Sequence, residues 1–394
     1  MRKSTLGIWG ASLIVAGTSI GAGMLALPVV TGLSGFFPSL LVLVSSWAFM
    51  TITGLMFCEL AVWLKHDVNI LSMATTTLGA WVKGIVWILY LFLFYCLTIA
   101  YLVGGGNFLT DVIGDPTTRI LLFGALFISC VVMGKRVVDP MNQLLVIGLF
   151  ISYCGFVIIG VPLIDLSLLT HKNWSYLYMA LPVTFTSFGF QGTIPTLANW
   201  MEYDLRKMRY AVIIGTSVTL LVYVLWQGLF LGIVPPSGPH GLEEALDRGL
   251  DAVHPLHYFT QNEVIWNCAR GFAFFALVTS FLGVGIGLVD FLSDGLKIPK
   301  KGIRNRGILT ICAFFLPLFF AVIYPHLFLK ALGLAGGFGC ATLLGILPIL
   351  MVWKARHIMH QPVCKNILGK KWVLCLLLVF VSFEIICEIL NLID

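Results

Sequence analysis

Apolar runs of about twenty residues recur along the whole chain, and no other feature limits the fold as strongly. A helix of this length crosses the hydrocarbon core of a bilayer, where every backbone polar group must find its hydrogen-bond partner inside the protein. Only 11% of the residues are charged, against roughly 25% in soluble domains. The sequence therefore predicts an all-α polytopic membrane protein.

Eleven spans are predicted, and they divide into two units of five with one span left over. The spans lie near residues 5–30, 36–63, 80–110, 119–134, 141–164, 176–201, 210–234, 264–292, 306–324, 327–353 and 372–392. The first repeat covers residues 5–164, the second covers 175–356, and the additional span covers 371–392. Because each unit holds an odd number of spans, the second unit is inverted relative to the first.

The distribution of Lys and Arg predicts the orientation. With a cytoplasmic N-terminus, nineteen basic residues fall on the inner side and five on the outer side. The five outer residues are Arg119, Lys172, Arg248, Arg270 and Lys330. Basic residues favour the cytoplasmic side, so the C-terminus is expected outside. The net charge of +6 thus reflects topology, and no nucleic-acid partner is expected.

The first span is interrupted at its middle by Gly17-Thr18-Ser19-Ile20-Gly21-Ala22-Gly23. One interpretation is a GxxxG face, with Gly17 and Gly21 packing on a neighbouring helix. The other is an unwound helix whose N–H and carbonyl groups bind a small zwitterion at mid-membrane depth.

The sixth span carries a second interruption, between Leu181 and Pro195, again with glycines, hydroxyl residues and a late proline. Gly- and Pro-interrupted segments at matching positions of two halves are typical of a transporter binding site. The pair of interruptions therefore favours transport over simple helix packing.

Three segments resemble bacterial aromatic amino acid permeases, the tyrosine- and tryptophan-specific branch of the amino acid/polyamine/organocation superfamily. They are Leu6 to Pro28, Leu181 to Pro195 and Thr279 to Pro299. The resemblance covers essentially the whole chain. It implies a LeuT-type fold with broken helices 1 and 6, and proton-driven import of tryptophan or tyrosine across the cell (inner) membrane. Spans 1, 2, 6 and 7 would then rock against spans 3, 4, 8 and 9.

The expected binding site lies at the two interruptions. Gly21, Ala22 and Gly23 would donate N–H groups to the substrate carboxylate at the start of a half-helix. The substrate ammonium would meet the carbonyls near Thr18 and Ser19, the carbonyls of Phe185 and Thr186, and the hydroxyl of Ser187, which is assigned by resemblance to LeuT-type sites. Phe188, Phe190 and Met24 would wall the ring, although any one phenylalanine is more often a core residue. Tyr95 would offer a hydroxyl to the carboxylate, or else pack against lipid or another helix.

The coupling ion is left open between H⁺ and Na⁺. In LeuT-type sodium transporters, carbonyls equivalent to Gly17 and Ile20 hold the ion together with residues spaced like Ala276, Thr279 and Ser280. The alternative is that Thr279 and Ser280 bond back to their own helix.

Proton coupling instead needs a titratable group, for which Glu59 and Asp290 are candidates, unless they pair with nearby Lys and Arg. Glu384 and Glu388 in the last span suggest a partner-helix or surface role. Related permeases often have His where this chain has Gln191, and glutamine does not titrate near neutral pH, so this position instead suggests recognition of the ring substituent.

Other functional classes find little support. The ten cysteines are scattered without a CxxC or Cys/His cluster, so neither a metal nor a cofactor is expected. The histidines lie in loops or at span ends, which argues against an enzyme, and no repeated pore motif indicates a channel. The long acidic connection at 235–263 predicts an outer loop with a short helix, acting either as a lid or as a solvated cover.

Overall fold

The computed structural model describes residues 7–65, 69–110, 113–260, 262–300 and 303–393. Within these ranges the regular secondary structure is entirely helical. Residues 5 and 6, where the first predicted span and repeat begin, lie outside the described ranges. The α-helices are, in chain order, α1 Ile8–Ser19, α2 Gly23–Gly32, α3 Phe36–Leu64, α4 Ile70–Leu78, α5 Val82–Asn107, α6 Pro116–Met133, α7 Lys135–Gly160, α8 Leu166–Leu169, α9 Leu177–Ser187, α10 Ile194–Trp200, α11 Leu205–Ile233, α12 Leu242–Asp247, α13 Val253–Phe259, α14 Glu263–Leu296, α15 Ile303–Ile323, α16 Phe328–Leu334, α17 Leu347–Trp353 and α18 Lys371–Ile393.

Nine helical stretches in the described part of the chain are long and apolar enough to cross a bilayer. The bent pair α1 and α2 raises this number to ten when it is counted as one span. The remaining predicted span, 176–201, consists of two shorter helices, α9 and α10. The all-α membrane architecture expected from the sequence is confirmed.

The first span breaks where its glycines predict. Helix α1 ends at Ser19, α2 begins at Gly23, and the two axes differ by 55°. Glycine weakens a helix by about 1 kcal/mol relative to alanine, and Gly21 and Gly23 lie directly at the break. The interpretation of this segment as an unwound helix is therefore confirmed.

The second break separates α9 from α10. Residues 188–190 are not helical, and a single 3₁₀ turn, Gln191–Thr193, leads into α10. The buried Gln191 side chain holds this irregular segment. Its Oε1 accepts the Phe190 N–H at 3.0 Å, and its Nε2 donates to the Met50 carbonyl at 3.1 Å and to Thr53 Oγ1 at 3.2 Å on α3. Side-chain partners of this kind allow unwound backbone at membrane depth.

Between α16 and α17 the chain forms a π-helix, Ala335–Ile346. π-Helical segments are rare and occur mostly as single turns, frequently at functional sites. Small residues let three other helices approach this segment: Gly336 lies against the Pro182 carbonyl on α9, Gly337 against Glu388 on α18, and Gly339 against Leu93 on α5. The π-helix is thus in close contact with α9, α18 and α5.

The long loop at 235–263, predicted to lie on the outer side, is held against the bundle. It contains two helices, α12 and α13, rather than the one predicted, and the Ala252 N–H donates to the Leu25 carbonyl of α2 at 3.1 Å. Asp251 Oδ1 accepts the N–H groups of Val253 at 2.9 Å and His254 at 3.3 Å at the start of α13, and burial raises the pKa of its carboxyl. The loop is therefore a packed element in contact with a half-helix, and not only a solvated cover.

Candidate functional site

The two helix breaks meet at one buried tyrosine. The hydroxyl of Tyr223, on α11, lies 2.6 Å from the Ser19 carbonyl oxygen at the end of α1. It also lies 2.7 Å from the Ser187 carbonyl oxygen at the end of α9. A tyrosine hydroxyl carries one proton, so the two acceptors share a single donor. Two carbonyl oxygens at neighbouring helix ends thus converge on one point.

Two glycines allow this close approach. A Cβ atom on Gly23 would lie 2.7 Å from Ser187 Oγ, and one on Gly21 would collide with Ser280 Oγ of α14. Any larger side chain at either position would push the break away from α9 or α14. The break therefore lies between the second interrupted helix and span eight.

The start of α2 presents unpaired backbone donors. In the described part of the chain, the N–H groups of Gly21, Ala22 and Gly23 have no acceptor, whereas Met24 already donates to the Gly21 carbonyl at 3.1 Å. The N-terminus of a helix also carries a partial positive charge. This segment can bind a carboxylate without any basic side chain.

The predicted aromatic residues have different surroundings. Phe188 packs edge-on against Tyr223, with ring centroids 5.0 Å apart. Phe185 stacks on Phe49 at 5.1 Å, and the Phe190 ring lies against Gly54 of α3. Among these rings, Phe188 is the one that borders the point where the two breaks meet.

The hydroxyl groups at the breaks donate to carbonyls within the protein. Ser187 Oγ donates to the Val183 carbonyl at 2.8 Å, and Ser19 Oγ to the Val15 carbonyl at 3.3 Å. Thr186 Oγ1 donates to the Leu332 carbonyl at 2.8 Å, which ties α9 to α16. Thr18 is exposed, and its hydroxyl donates to Ile14 in its own helix at 2.7 Å. The protons of these hydroxyl groups are thus used inside the protein, while their oxygens can still accept a hydrogen bond.

Two polar side chains predicted for the site bond within the protein. The Tyr95 hydroxyl donates to the Cys312 carbonyl on α15 at 2.8 Å, as the helix-packing alternative expects. Gln191 uses its amide protons and its oxygen to hold the second break.

The two hydroxyl residues predicted for a sodium site in span eight, which is α14, have different partners. Thr279 Oγ1 donates to the carbonyls of Phe275 at 2.8 Å and Ala276 at 3.1 Å in its own helix, as the structural alternative predicts. Ser280 instead lies at Gly21, and its side chain also interacts with the Tyr101 hydroxyl. Ile20 is half-buried at the break, whereas Gly17 is exposed with open space around it.

The two predicted coupling carboxylates are ion-paired. Glu59 contacts the Arg209 guanidinium and accepts the Cys364 N–H at 3.0 Å. Asp290 lies between two lysines, at 3.1 Å from Lys135 Nζ and 2.6 Å from Lys300 Nζ. Both arrangements match the pairing alternative.

Tyr223 and Tyr101 were missed from the sequence. A buried tyrosine hydroxyl normally finds a polar partner, which is a signal in principle. The chain has eleven tyrosines, however, and nothing in their spacing shows which of them reach the breaks.

Comparison with known proteins agrees with this architecture. Residues 4–388 match the model of the tryptophan/tyrosine permease family. Tyrosine-specific transport system 1 of Haemophilus influenzae is 35% identical over 88% of both chains, and the tryptophan-specific transport protein of the same organism is 28% identical over 99% of this chain and 97% of its own. A mutant form of the Eremococcus coleocola manganese transporter superposes with a TM-score of 0.64 at 14% identity, covering 97% of this chain and 85% of that one. This last match concerns the fold alone, which is the LeuT-type architecture expected.

Proposed function

The chain belongs to the tryptophan/tyrosine permease family, and on this premise we propose that it imports tryptophan or tyrosine by proton symport with alternating access. Membership makes it a multi-pass membrane transporter of a permease family and not an enzyme. The two Haemophilus influenzae relatives named above are described as specific for tyrosine and for tryptophan, and these names support the choice of substrate.

The observation that carries the proposal is the convergence of the Ser19 and Ser187 carbonyls on the Tyr223 hydroxyl. An α-ammonium group has three protons and is well suited to two carbonyl acceptors at neighbouring helix ends. The α-carboxylate would bind the unpaired N–H groups at the start of α2. Both ends of the zwitterion would then be bound by backbone of the interrupted helices.

The aromatic ring would lie beside Phe188. This ring borders Tyr223, and aromatic pairs in edge or offset contact contribute about 0.5–1.5 kcal/mol beyond area burial. Met24, fully buried in α2, adds a flexible apolar surface next to the N–H groups. The site would therefore select an amino acid with a flat apolar side chain.

Uptake of labelled tryptophan and tyrosine by proteoliposomes tests the binding site. We expect Gly21→Val and Gly23→Val to abolish uptake while membrane insertion is kept, because a side chain at either glycine would separate the first break from Ser187 or Ser280. The matched control is Gly17→Val, because Gly17 has open space around it. Normal uptake by both site variants would contradict the assignment.

The proposed driving ion is the proton, by resemblance to the family. Na⁺ is the alternative, because Ser280 lies at the first break, where Gly17, Ile20, Ala276 and Thr279 would complete a sodium site. The experiment imposes a pH gradient or a sodium gradient separately, with an aromatic competition panel in each arm. Accumulation driven by the pH gradient alone supports proton symport, and accumulation driven only by sodium overturns it.

We propose the cell (inner) membrane as the location, with the N-terminus inside and the C-terminus outside. The excess of Lys and Arg on the inner side supports this orientation. The loop that carries α12 and α13 then lies on the outer side. Each of the two predicted repeats, 5–164 and 175–356, would contribute its first two spans to the moving bundle and its next two spans to the scaffold. The additional span, 371–392, lies outside both repeats.

A further inference from the structure

Two glutamates of the last helix are buried within the membrane-spanning part of the protein. Glu384 and Glu388 are 0% and 3% exposed and lie one turn apart on α18. Both carboxyl oxygens of Glu384 lack a hydrogen-bond partner among the described residues. The sequence suggested a partner-helix or surface role, and the structure excludes the surface. Ionisable groups at such depth are rare and usually functional.

Among the described residues, no salt bridge joins either glutamate to a basic side chain, although Lys330 of α16 and His326 line the same crevice as Glu388. The π-helix contributes Cys340, α5 contributes Cys96, and α18 itself contributes Cys387. The titratable side chain of α9 is Tyr178, and Glu388 interacts with Asn391. Without an ion-pair partner, burial favours a protonated, neutral carboxyl group.

Water can reach one of the two glutamates. A crevice of about 710 Å³ has Glu388 and Asn391 in its wall, together with Val30 of α2 and Val183 of α9. Its other ionisable wall residues are Asp247, His326 and Lys330, which belong to the loop side of the protein. Glu388 therefore borders a path to the outer side, and Glu384 lies one turn deeper.

Glu388 contacts α16 and the π-helix, and α16 is hydrogen-bonded to the second helix break. A Cβ on Gly333 would lie 3.1 Å from the Glu388 carboxyl oxygens, and Gly337 lies against the stem of the same side chain. One residue before Gly333, the Leu332 carbonyl accepts the Thr186 hydroxyl at 2.8 Å. Thr186 directly precedes Ser187, whose carbonyl is bound by Tyr223. We call α16 and the following π-helix the α16–π segment. Its packing against α18 is thus linked to the second helix break by the Thr186 hydrogen bond.

We propose that Glu388 and Glu384 form the proton-carrying site of this transporter, loaded from the outer crevice through Glu388. The inference rests on the proton symport proposed above. A hydronium ion in the crevice gives one proton to a Glu388 carboxylate oxygen, which forms a neutral acid and leaves water. The Glu388 O–H bond then breaks as the proton passes to a carboxylate oxygen of Glu384, one turn deeper. After the bundle reorients, the O–H bond breaks, water on the inner side takes the proton, and the carboxylate is restored.

Coupling follows from packing. A neutral acid fits against the glycines of the α16–π segment, whereas an ionised carboxylate draws water between the helices. Protonation therefore changes the contact that reaches Thr186, and with it the geometry of the break that binds substrate. Because the linkage is reciprocal, bound substrate also favours the protonated pair.

The experiment compares exchange with driven uptake in proteoliposomes. Glu388→Gln and Glu384→Gln mimic the neutral acid and cannot titrate. We expect tryptophan counterflow to persist, while accumulation driven by a pH gradient falls about tenfold or more. The control is Glu263→Gln, an exposed carboxylate at the start of α14, which should leave both activities unchanged.

Each outcome assigns the failure to one claim. Undiminished pH-driven accumulation in both glutamine variants overturns the role of the pair, and so does loss of counterflow together with accumulation. Wild-type counterflow without any response to a pH gradient would instead refute proton symport, and absence of aromatic counterflow would refute the substrate. A second readout is tryptophan binding to purified protein as a function of pH. Affinity should rise with acidity in the wild type and stay constant in both variants.

Discussion

Tyr223 contacts both interrupted helices, although the sequence does not single it out. Its hydroxyl is the single donor between two carbonyl oxygens that belong to different interrupted helices. It is also fully buried, so neither carbonyl can turn to bulk water if the hydroxyl is removed. The side chain that joins the two breaks therefore comes from α11, which is neither of the interrupted helices.

Tyr223→Phe should destabilise the protein by about 1–3 kcal/mol, because buried carbonyls are left without a donor. Thermal unfolding in detergent measures this loss, and initial uptake rates measure its effect on transport. Tyr95→Phe is the matched control, since it also removes one hydroxyl that bonds to a carbonyl, but on α15. Equal uptake by the two variants would contradict the special role of Tyr223.

Gly23→Ala should reduce uptake strongly, because its Cβ would lie 2.7 Å from Ser187 Oγ and force the two breaks apart. Gly17→Ala, in the same segment, meets no atom and should transport like the wild type while slightly strengthening α1. The measurement is the ratio of uptake rates at equal amounts of inserted protein. A ratio near unity would show that the breaks tolerate separation.

At the scale of the elements, both broken helices could be predicted because their cause is local. Glycines and hydroxyl residues weaken a helix locally, and in these two segments they cluster at mid-span. The partners of these segments could not be predicted, because they depend on which face of α11, α5 or α18 turns inward. Tyr223, Tyr101 and Glu384 are ordinary membrane-helix residues in sequence, and only the packing of distant helices brings them to their positions. The π-helix likewise has no sequence signal beyond its glycines.

The second break depends on one side chain from within it. Gln191→Ala would leave the buried Phe190 N–H without its acceptor and remove the bonds from Gln191 to Met50 and Thr53, and we expect a loss of about 1–3 kcal/mol in thermal unfolding experiments. Gln361→Ala is the control, because that amide is half-buried and accepts from Trp63 at 3.3 Å near the end of α3. If both variants unfold at the same temperature as the wild type, the backbone polar groups at this break have other hydrogen-bond partners.

At the scale of the whole molecule, the distribution of basic residues predicts that the two ends lie on opposite sides of the membrane. Alkaline phosphatase fused after residue 394 should be active, and a fluorescent protein fused there should stay dark. Fusions after residue 360, between α17 and α18, should give the reverse pattern. The same signal from both junctions would mean that α18 does not cross.

The shared hydroxyl between the two breaks also bears on the empty carrier. In the proposed symport cycle the carrier returns without its amino acid, and helix ends with bare carbonyls would resist that step in a low-dielectric interior. The Tyr223 hydroxyl would take the place of the substrate ammonium there, so that the unloaded protein can close and reset. Net uptake, and not obligatory one-for-one exchange, is the transport mode that such a resident donor permits.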